Sequence, residues 1–188
     1  VIGSGGREHA IVDALARSTK VRKIFAAPGS GGMTQQAEVV PIHADDITSL
    51  SNFAQNQHID LTFVGPEVPL SKGVVDVFRK HGLMIIGPTA DQARLESSKS
   101  FAKQFFRVNK IPTADSFECS NAMDAYRILD NSRYPIVIKA DGLAAGKGVV
   151  IAENPDDARS TVHQFMETRT LGEAGAKLVI EEFLRGEE

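Results

Sequence analysis

The sequence contains one cysteine, no tryptophan and no basic run longer than two residues. A single cysteine, Cys119, cannot form an internal disulfide, which fits a reducing cytoplasm; we interpret it as an inert small residue. The net charge of -3 and the scattered lysines and arginines argue against a nucleic-acid partner. No apolar run approaches the roughly 18 residues of a membrane helix. We therefore expect neither nucleic acid nor membrane as a partner.

The overall composition is typical of a globular protein. Of its 188 residues, 42% are hydrophobic and 24% are charged, so the chain can bury a core without disulfides. At about 100–200 residues per domain, this length predicts one domain or two small ones. Only Val1 and Ile2 precede a glycine-rich turn, and the chain stops directly after an apolar run. We interpret it as a fragment of a longer polypeptide.

Residues 1–90 alternate short apolar segments with amphipathic helical ones. This alternation predicts an α/β fold in which a parallel sheet is covered by helices on both faces. The predicted strands are residues 1–2, 23–27, 38–40, 61–64 and 83–86.

The pattern changes after residue 90. Residues 91–112 contain two helical stretches without a strand between them and are interpreted as a connector. Residues 113–188 predict a small α+β lobe. Its strands are 135–139, 149–152 and 177–181, and its helices begin at the caps Asn121, running to Leu129, and Asn154, running through Met166.

The first motif, at residues 3–9, reads Gly-Ser-Gly-Gly-Arg-Glu-His. Glycines between a strand and a helix allow backbone N–H groups to approach an anion at the helix N-terminus. A dinucleotide site fits poorly, because Glu8 stands where the third glycine belongs and no acid ends the second strand. A phosphate on a smaller ligand fits better, with Arg7 as a further cation. A tight turn without a ligand stays open.

The second motif is the turn that contains Glu67. This residue follows a predicted strand and lies between Pro66 and Pro69. Open α/β sheets bind ligands at the carboxyl ends of their strands. A carboxylate held in a stiff turn there can bind a diol such as a ribose. A solvated turn residue fits the spacing equally well.

The third motif, at residues 139–149, has the form of a phosphate clamp. A lysine ends one strand, a loop of small residues follows, and a second strand begins. The glycine spacing and the following strand exclude a Walker A loop. Such a loop can close over a nucleotide's phosphates as a lid, with Lys139 and Lys147 offsetting their charge. The alternative is a flexible loop without a ligand.

The fourth motif, at residues 179–188, is an apolar strand that runs into acidic residues. It can present backbone groups to an adenine edge, with Phe183 and Leu184 near the base. An ordinary strand with a solvated acidic end is the alternative. The five histidines are scattered, and no cluster has metal-ligand spacing.

In combination and in order, these motifs resemble the glycinamide ribonucleotide synthetase (phosphoribosylamine–glycine ligase) family of the ATP-grasp superfamily. The matching segments also include residues 27–29, 95–99 and 111–114. The resemblance implies a Rossmann-like (pre-ATP-grasp) sheet followed by a partial ATP-grasp lobe. It implies a substrate-binding domain at 1–90, a helical connector at 91–112 and a lid-bearing lobe at 113–188, truncated before the catalytic half.

The resemblance also implies roles for individual residues. Substrate-binding residues, which would hold the sugar phosphate or ribose, are Gly5, Gly6, Arg7, Glu8 and Glu67. ATP-binding residues would be Lys99, Lys139, Gly146, Lys147, Gly148, Glu181, Glu182, Phe183, Leu184 and Glu188. Catalytic residues and the ligands of Mg²⁺ are expected beyond residue 188, so we expect no metal site in this fragment.

The implied reaction consumes ATP to join glycine to 5-phosphoribosylamine through a glycyl phosphate, in purine biosynthesis. The products would be glycinamide ribonucleotide, ADP and phosphate, and the fragment alone is expected not to turn over. Fusion of the parent to further purine-pathway domains, as in animals, stays open. The alternatives are another ATP-grasp carboxylate ligase, a non-catalytic phosphoribosyl-binding module and, more remotely, a dehydrogenase.

Overall fold

A computed structural model describes residues 1–186 of the chain. It divides into two compact units, Val1–Ala93 (unit 1) and Arg94–Glu188 (unit 2). Helix α5 (Ala90–Ser97) contains the division. The domain boundaries at residues 90 and 112 stay predictions. Within the described residues, no helix is long and apolar enough to span a membrane.

Unit 1 contains the five strands predicted from the sequence. They are β1 (Ile2–Gly3), β2 (Phe25–Pro28), β3 (Glu38–Val39), β4 (Thr62–Phe63) and β5 (Ile85–Ile86). Its helices are α1 (Gly6–Ala16), α2 (Ile47–Asn56), α3 (Glu67–Ser71) and α4 (Val74–Lys80).

Every strand pair in unit 1 is parallel. Strands β1, β2 and β3 are neighbours in that order, and β4 pairs with β5. A parallel bridge between Ile2 and Val64 joins the two groups, and Gly65 N donates to Ile2 O over 3.1 Å. The resulting order is β3-β2-β1-β4-β5, which matches the first five strands of a doubly wound sheet.

Helices cover both faces of this sheet, as predicted. Successive residues of a strand point to opposite faces, and the neighbours Ala26 and Ala27 of β2 pack into two different apolar clusters. One cluster contains Phe78, Val74 and Leu50 from α4 and α2. The other contains Val12 of α1 together with Met33.

Unit 2 is built on an antiparallel sheet in the order β6-β9-β7-β8. The strands are β6 (Ser116–Cys119), β7 (Ile136–Ala140), β8 (Val149–Ala152) and β9 (Leu178–Glu182). The helices that belong wholly to unit 2 are α6 (Lys99–Val108), α7 (Ala122–Leu129) and α8 (Pro155–Val162). Strand β6 was not predicted.

Side chains on the two faces of this sheet have different chemistry. Ile136 and Ile138 of β7, with Leu178 and Ile180 of β9, pack into an apolar core that includes residues of α7 and α8. Two of the alternate positions carry the charged side chains Lys139 and Glu181, and two carry the valines Val137 and Val179; we refer to the face with the two charges as the polar face. The apolar face holds unit 2 together, which leaves the opposite face for a site.

The predicted helix caps are confirmed. Asn121 Oδ1 accepts from Asp124 N over 2.9 Å, and Asn154 Oδ1 accepts from Asp157 N over 3.0 Å, as N-caps do. The second helix is shorter than predicted. The α-helical part ends at Val162, and a single π-helical turn, His163–Glu167, continues it.

Because two isoleucines of the same sheet differ in burial, replacing each with alanine should lower the free energy of unfolding by different amounts. Ile138 is 0% exposed and Ile151 of β8 is 51% exposed. Ile138→Ala leaves a cavity and is expected to lower the free energy of unfolding by about 2–5 kcal/mol. Ile151→Ala is the matched control and should cost clearly less in urea denaturation. Equal losses would contradict this assignment of the core.

Candidate functional site

The first group of predicted site residues lies at the carboxyl ends of β1 and β4, which are neighbours in unit 1. After β1 the chain continues through α1 to β2, toward one edge of the sheet. After β4 it continues through α3 and α4 to β5, toward the opposite edge. Open α/β sheets form a ligand crevice at such a reversal. The turn at residues 3–6 and the turn at 64–67 meet there.

The carboxylate of Glu8 is the buried polar group of this crevice. Glu8 is 4% exposed, and its Oε2 accepts from Gly5 N over 2.6 Å. A glutamate three positions after the helix N-cap commonly makes this contact. Its Oε1 is buried and accepts no hydrogen bond within residues 1–186; the nearest cation is Arg7 Nε at 3.9 Å. Because an unpaired buried oxygen is costly, Oε1 is suited to a donor on a ligand.

The glycines around Glu8 make room for its side chain. A Cβ at Gly65 would lie 1.9 Å from Glu8 Oε1, and one at Gly3 would lie 2.5 Å from Glu8 Cγ. Gly5 donates its N–H to Glu8, and only Gly6 has open space where a Cβ would be. The sequence argument assigned the glycines of residues 3–6 to the approach of an anion. The structure shows that Gly3, together with Gly65 of the second turn, makes room for the Glu8 carboxylate.

Arg7 and Glu67 form an ion pair at the rim of the crevice. Arg7 Nη2 lies 2.7 Å from Glu67 Oε1, and both side chains are partly exposed. The N–H of Glu67 itself, and then the Arg7 guanidinium, hold the pKa of the Glu67 carboxyl below its usual value. The structure thus brings together the predicted residues Gly5, Gly6, Arg7, Glu8 and Glu67.

The second group lies on the polar face of the sheet in unit 2. Lys139 of β7 and Glu181 of β9 are diagonal neighbours across the strand pair. Lys139 Nζ donates to Glu181 Oε2 over 2.9 Å, and Lys103 Nζ of α6 lies 3.3 Å from the same oxygen. The side chains of Glu181 and Lys103 are buried, whereas that of Lys139 is 28% exposed. Lys139 is therefore the member of this cluster that a ligand can reach.

Lys99, at the start of α6, is electrostatically coupled to this cluster. Its Nζ donates to Gly142 O over 3.3 Å. Burial lowers the pKa of Lys99, and the charge of Lys139 lowers it further. The charges of Asp141, Glu96 and Glu181 act in the opposite direction. Two partly buried ammonium groups that repel each other are stabilised by an anion between them.

Asp141 fixes the start of the glycine-rich loop to the helix that carries Lys99. Its Oδ1 accepts from Ser100 N over 2.6 Å, and Ser98 Oγ lies 3.2 Å from Oδ2. Lys99 N also donates to Asp141 O over 3.2 Å. A carboxylate at a helix N-terminus is favourable for the helix dipole. Sequence reasoning assigned no role to Asp141, which lies inside the third motif, and none to Lys103, which lies outside all four motifs.

The glycine-rich loop is anchored at its base and open at its tip. Ala140 N donates to Gly148 O over 2.7 Å, and Gly142 N donates to Ala174 O over 3.1 Å. At the tip, Gly146 has φ of 80° and is exposed, as is Lys147. Gly148 is buried, and a Cβ there would lie 2.7 Å from Ala144 Cβ. The loop therefore connects two paired strands over a fixed base, and its role as a lid stays a prediction.

The predicted ATP-binding residues at the end of β9 lie in two different environments. Glu182 points away from Glu181, and its Oε1 accepts from Asp115 N over 2.9 Å. Phe183 is 36% exposed and Leu184 is 63% exposed, so both are accessible to a flat apolar ligand. Glu188 lies outside the described residues.

Neither a reactive thiol nor a group of metal ligands is found within residues 1–186. Burial, together with the nearby charge of Asp124, raises the pKa of the Cys119 thiol to about 11. The thiol is therefore protonated at neutral pH and unreactive. Across residues 1–186, no three His, Cys, Asp or Glu side chains are grouped so that they could hold a metal ion.

Two family models together cover the whole chain. The model described as "Phosphoribosylglycinamide synthetase, N domain" matches residues 1–96, and "Phosphoribosylglycinamide synthetase, ATP-grasp (A) domain" matches residues 97–188. The chain belongs to the phosphoribosylglycinamide synthetase family.

Individual members of the family are similar along the entire chain. It is 49% identical over 188 residues to the phosphoribosylamine–glycine ligase of Ralstonia nicotianae and 50% identical over 190 residues to that of Escherichia coli K12. Each match covers 100% of this chain and 44% of the relative. The chain thus spans less than half the length of these curated relatives.

Solved structures share the fold. The phosphoribosylamine–glycine ligase of Thermotoga maritima superposes with a TM-score of 0.77 at 28% identity, covering 99% of this chain and 44% of the other. An N5-carboxyaminoimidazole ribonucleotide synthetase from Thermus thermophilus gives a TM-score of 0.69 at 18% identity, covering 98% and 46%. The first match lies within the family, and the second shows the fold alone. The predicted fold class, with its partial ATP-grasp lobe, is confirmed.

The packing of Glu8 against Gly65 predicts a specific steric cost in this family member. Gly65→Ala must displace the Glu8 carboxylate from Gly5 N, and overpacking of this kind is expected to cost about 1–3 kcal/mol of stability. Gly6→Ala is the control, since a Cβ there meets nothing within 4 Å; its effect should stay within about 0.5 kcal/mol. Chemical denaturation measures both, and equal effects would refute the steric account.

Proposed function

We propose that this chain is the amino-terminal part of a ligase that uses ATP to join glycine to 5-phosphoribosylamine. The products would be glycinamide ribonucleotide, ADP and phosphate. The observation that carries the proposal is the cluster of Lys99, Lys139 and Glu181 beside the glycine-rich loop, in a chain of the phosphoribosylglycinamide synthetase family. The names of the relatives with 49% and 50% identity supply the substrates.

The charges of unit 2 support a triphosphate site. Lys99 and Lys139 present two partly buried ammonium groups, and a polyanion bound between them would relieve their mutual repulsion. Lys147 at the exposed tip of the loop would add a third positive charge when the loop folds over the phosphates. Phe183 and Leu184 at the end of β9 would lie against the adenine. The proposed ATP-binding set otherwise comprises Gly146, Gly148, Glu181, Glu182 and Glu188.

The crevice of unit 1 supports a site for the phosphorylated sugar. Gly6 has open space at the N-terminus of α1, where backbone N–H groups favour an anion. Glu8 Oε1 would accept a hydrogen bond from a hydroxyl or amine of the sugar, which satisfies the oxygen that is otherwise unpaired. Arg7 and Glu67 would complete the site at its rim.

In the proposed reaction, a carboxylate oxygen of glycine attacks the γ-phosphorus of ATP, and ADP leaves. The amine nitrogen of 5-phosphoribosylamine then attacks the acyl carbon of the glycyl phosphate. Phosphate leaves and the nitrogen loses a proton, which completes the amide. Positive charge from the lysines would stabilise the charge that develops on the transferred phosphoryl group.

Magnesium would neutralise part of the triphosphate charge in such a reaction. The chemistry of residues 1–186 does not supply a magnesium site, since a grouped set of acidic ligands is missing from that part of the chain. We therefore propose that the magnesium ligands lie in a further part of a protein of the relatives' length. A cytoplasmic location is supported by the single cysteine.

Phosphate release from ATP tests the proposal in the protein at the full length of its relatives. With magnesium, glycine and freshly generated 5-phosphoribosylamine, release should require both of the other substrates. Lys139→Met should lower kcat/KM for ATP by about 100-fold, because one preorganised charge is lost. Lys177→Met, at an exposed position just before β9, is the matched control and should change little.

Each alternative gives a different result in this assay. Release stimulated by bicarbonate or formate in place of glycine would indicate another ATP-grasp carboxylate ligase. Binding of phosphoribosyl compounds without any ATP consumption would indicate a non-catalytic module. Either result would refute the proposed ligase.

A further inference from the structure

Lys103 is a buried lysine in the fourth position after Lys99 on α6. It is 6% exposed, and lysine is almost never buried unless its charge is paired. Taking an ammonium group out of water is costly without hydrogen-bond partners. The side chain therefore needs a specific environment, and none of the four sequence motifs includes it.

Lys103 is held by two hydrogen bonds and one ion pair. Its Nζ donates to Thr113 Oγ1 over 2.7 Å and to Ala114 O over 2.9 Å, and it lies 3.3 Å from Glu181 Oε2. Two of the three N–H donors of the ammonium group are therefore used within unit 2, and its charge is paired with Glu181. Lys103 is thus unsuited to bind a ligand directly.

Glu181 shares one oxygen between two lysines of different exposure. Lys139 Nζ lies 2.9 Å from Oε2, and its side chain is 28% exposed, compared with 7% for Lys103 and for Glu181. A carboxylate with a single lysine would form a neutral pair. With two lysines, the three side chains together carry one net positive charge. An anionic ligand can approach that charge only through Lys139, the partly exposed member.

We propose that Lys103 is a positioning residue for the phosphate site: it fixes the Glu181 carboxylate and offsets its charge, so that the attraction of Lys139 for an incoming phosphate is not cancelled by Glu181. This inference rests on the proposed function, because it takes a nucleotide triphosphate as the anion. It adds a residue that is not proposed to contact any of the three substrates. Loss of Lys103 would leave Glu181 to neutralise Lys139 alone.

A double-mutant cycle separates this role from a merely structural one. The dissociation constant for ATP is measured in the full-length protein for the wild type, Lys103→Met, Glu181→Gln and the double variant. Lys103→Met should weaken ATP binding about tenfold when Glu181 is present and less than about twofold in Glu181→Gln, because coupled neighbours are non-additive. A structural defect alone would weaken binding by the same factor in both backgrounds.

Two further variants keep the test decisive if Lys103→Met folds poorly. Lys103→Arg preserves the charge and should retain ATP affinity within about threefold, since one interaction is altered rather than lost. Thr113→Val removes one acceptor of Lys103 at nearly the same volume and should weaken ATP binding more than Lys177→Met does. The melting temperature of each variant is recorded so that loss of folded protein is not counted as loss of affinity.

The outcomes distinguish the inference from the function on which it rests. A wild type that does not bind ATP would refute the proposed function and the inference together. A wild type that binds ATP, with equal effects of Lys103→Met in both backgrounds, would overturn the inference alone. Unchanged affinity in Lys103→Met would overturn it as well.

Discussion

The carboxylate of Glu181 lies between two lysine ammonium groups, and the polar face of unit 2 is arranged around it. Strand β9, which carries Glu181, pairs with both β6 and β7, so the position of this carboxylate is fixed by hydrogen bonds on either side. Lys139 projects from β7 and Lys103 from α6 toward the same oxygen. Removing either partner of a buried ion pair is costly, because the other charge is then left uncompensated. One positive charge stays unmatched, and it faces the open side of the sheet.

Unit 1 is likewise arranged around a buried carboxylate. Its buried group is the carboxylate of Glu8, which has one oxygen satisfied by Gly5 N and one that is unpaired within residues 1–186. Gly3 and Gly65 lack side chains at the points where Glu8 would clash with them. Unit 1 therefore contains a buried carboxylate with one unpaired oxygen, and unit 2 contains a buried carboxylate whose partner Lys139 is open to a ligand. Incomplete satisfaction of buried polar groups is typical of sites that receive a ligand.

The sequence predicted the parts of this fold that depend on local patterns. Apolar segments marked all five strands of unit 1, two of which end at Gly-Pro turns, and the caps Asn121 and Asn154 marked two helix starts. Strand β6 was missed, since its stability comes from pairing with β9, which is distant in the sequence. Lys103 was missed for the same reason: a lysine on a helix indicates a solvated residue until tertiary packing shows what buries it. Roles carried over from motifs named the residues that are proposed to face a ligand, whereas the residues that hold them in place were visible only in three dimensions.

The titration of Lys99 tests the central claim, that the lysines beside the glycine-rich loop receive a triphosphate. Burial lowers the pKa of Lys99 in the free protein, and a nearby anion favours the charged ammonium form. The measurement is ¹³C NMR of Lys99 Cε in the full-length protein against pH, with and without a non-hydrolysable ATP analogue, assigned through Lys99→Arg. The account predicts that the pKa of Lys99 rises when the analogue binds. A bound analogue that leaves this pKa unchanged would contradict it.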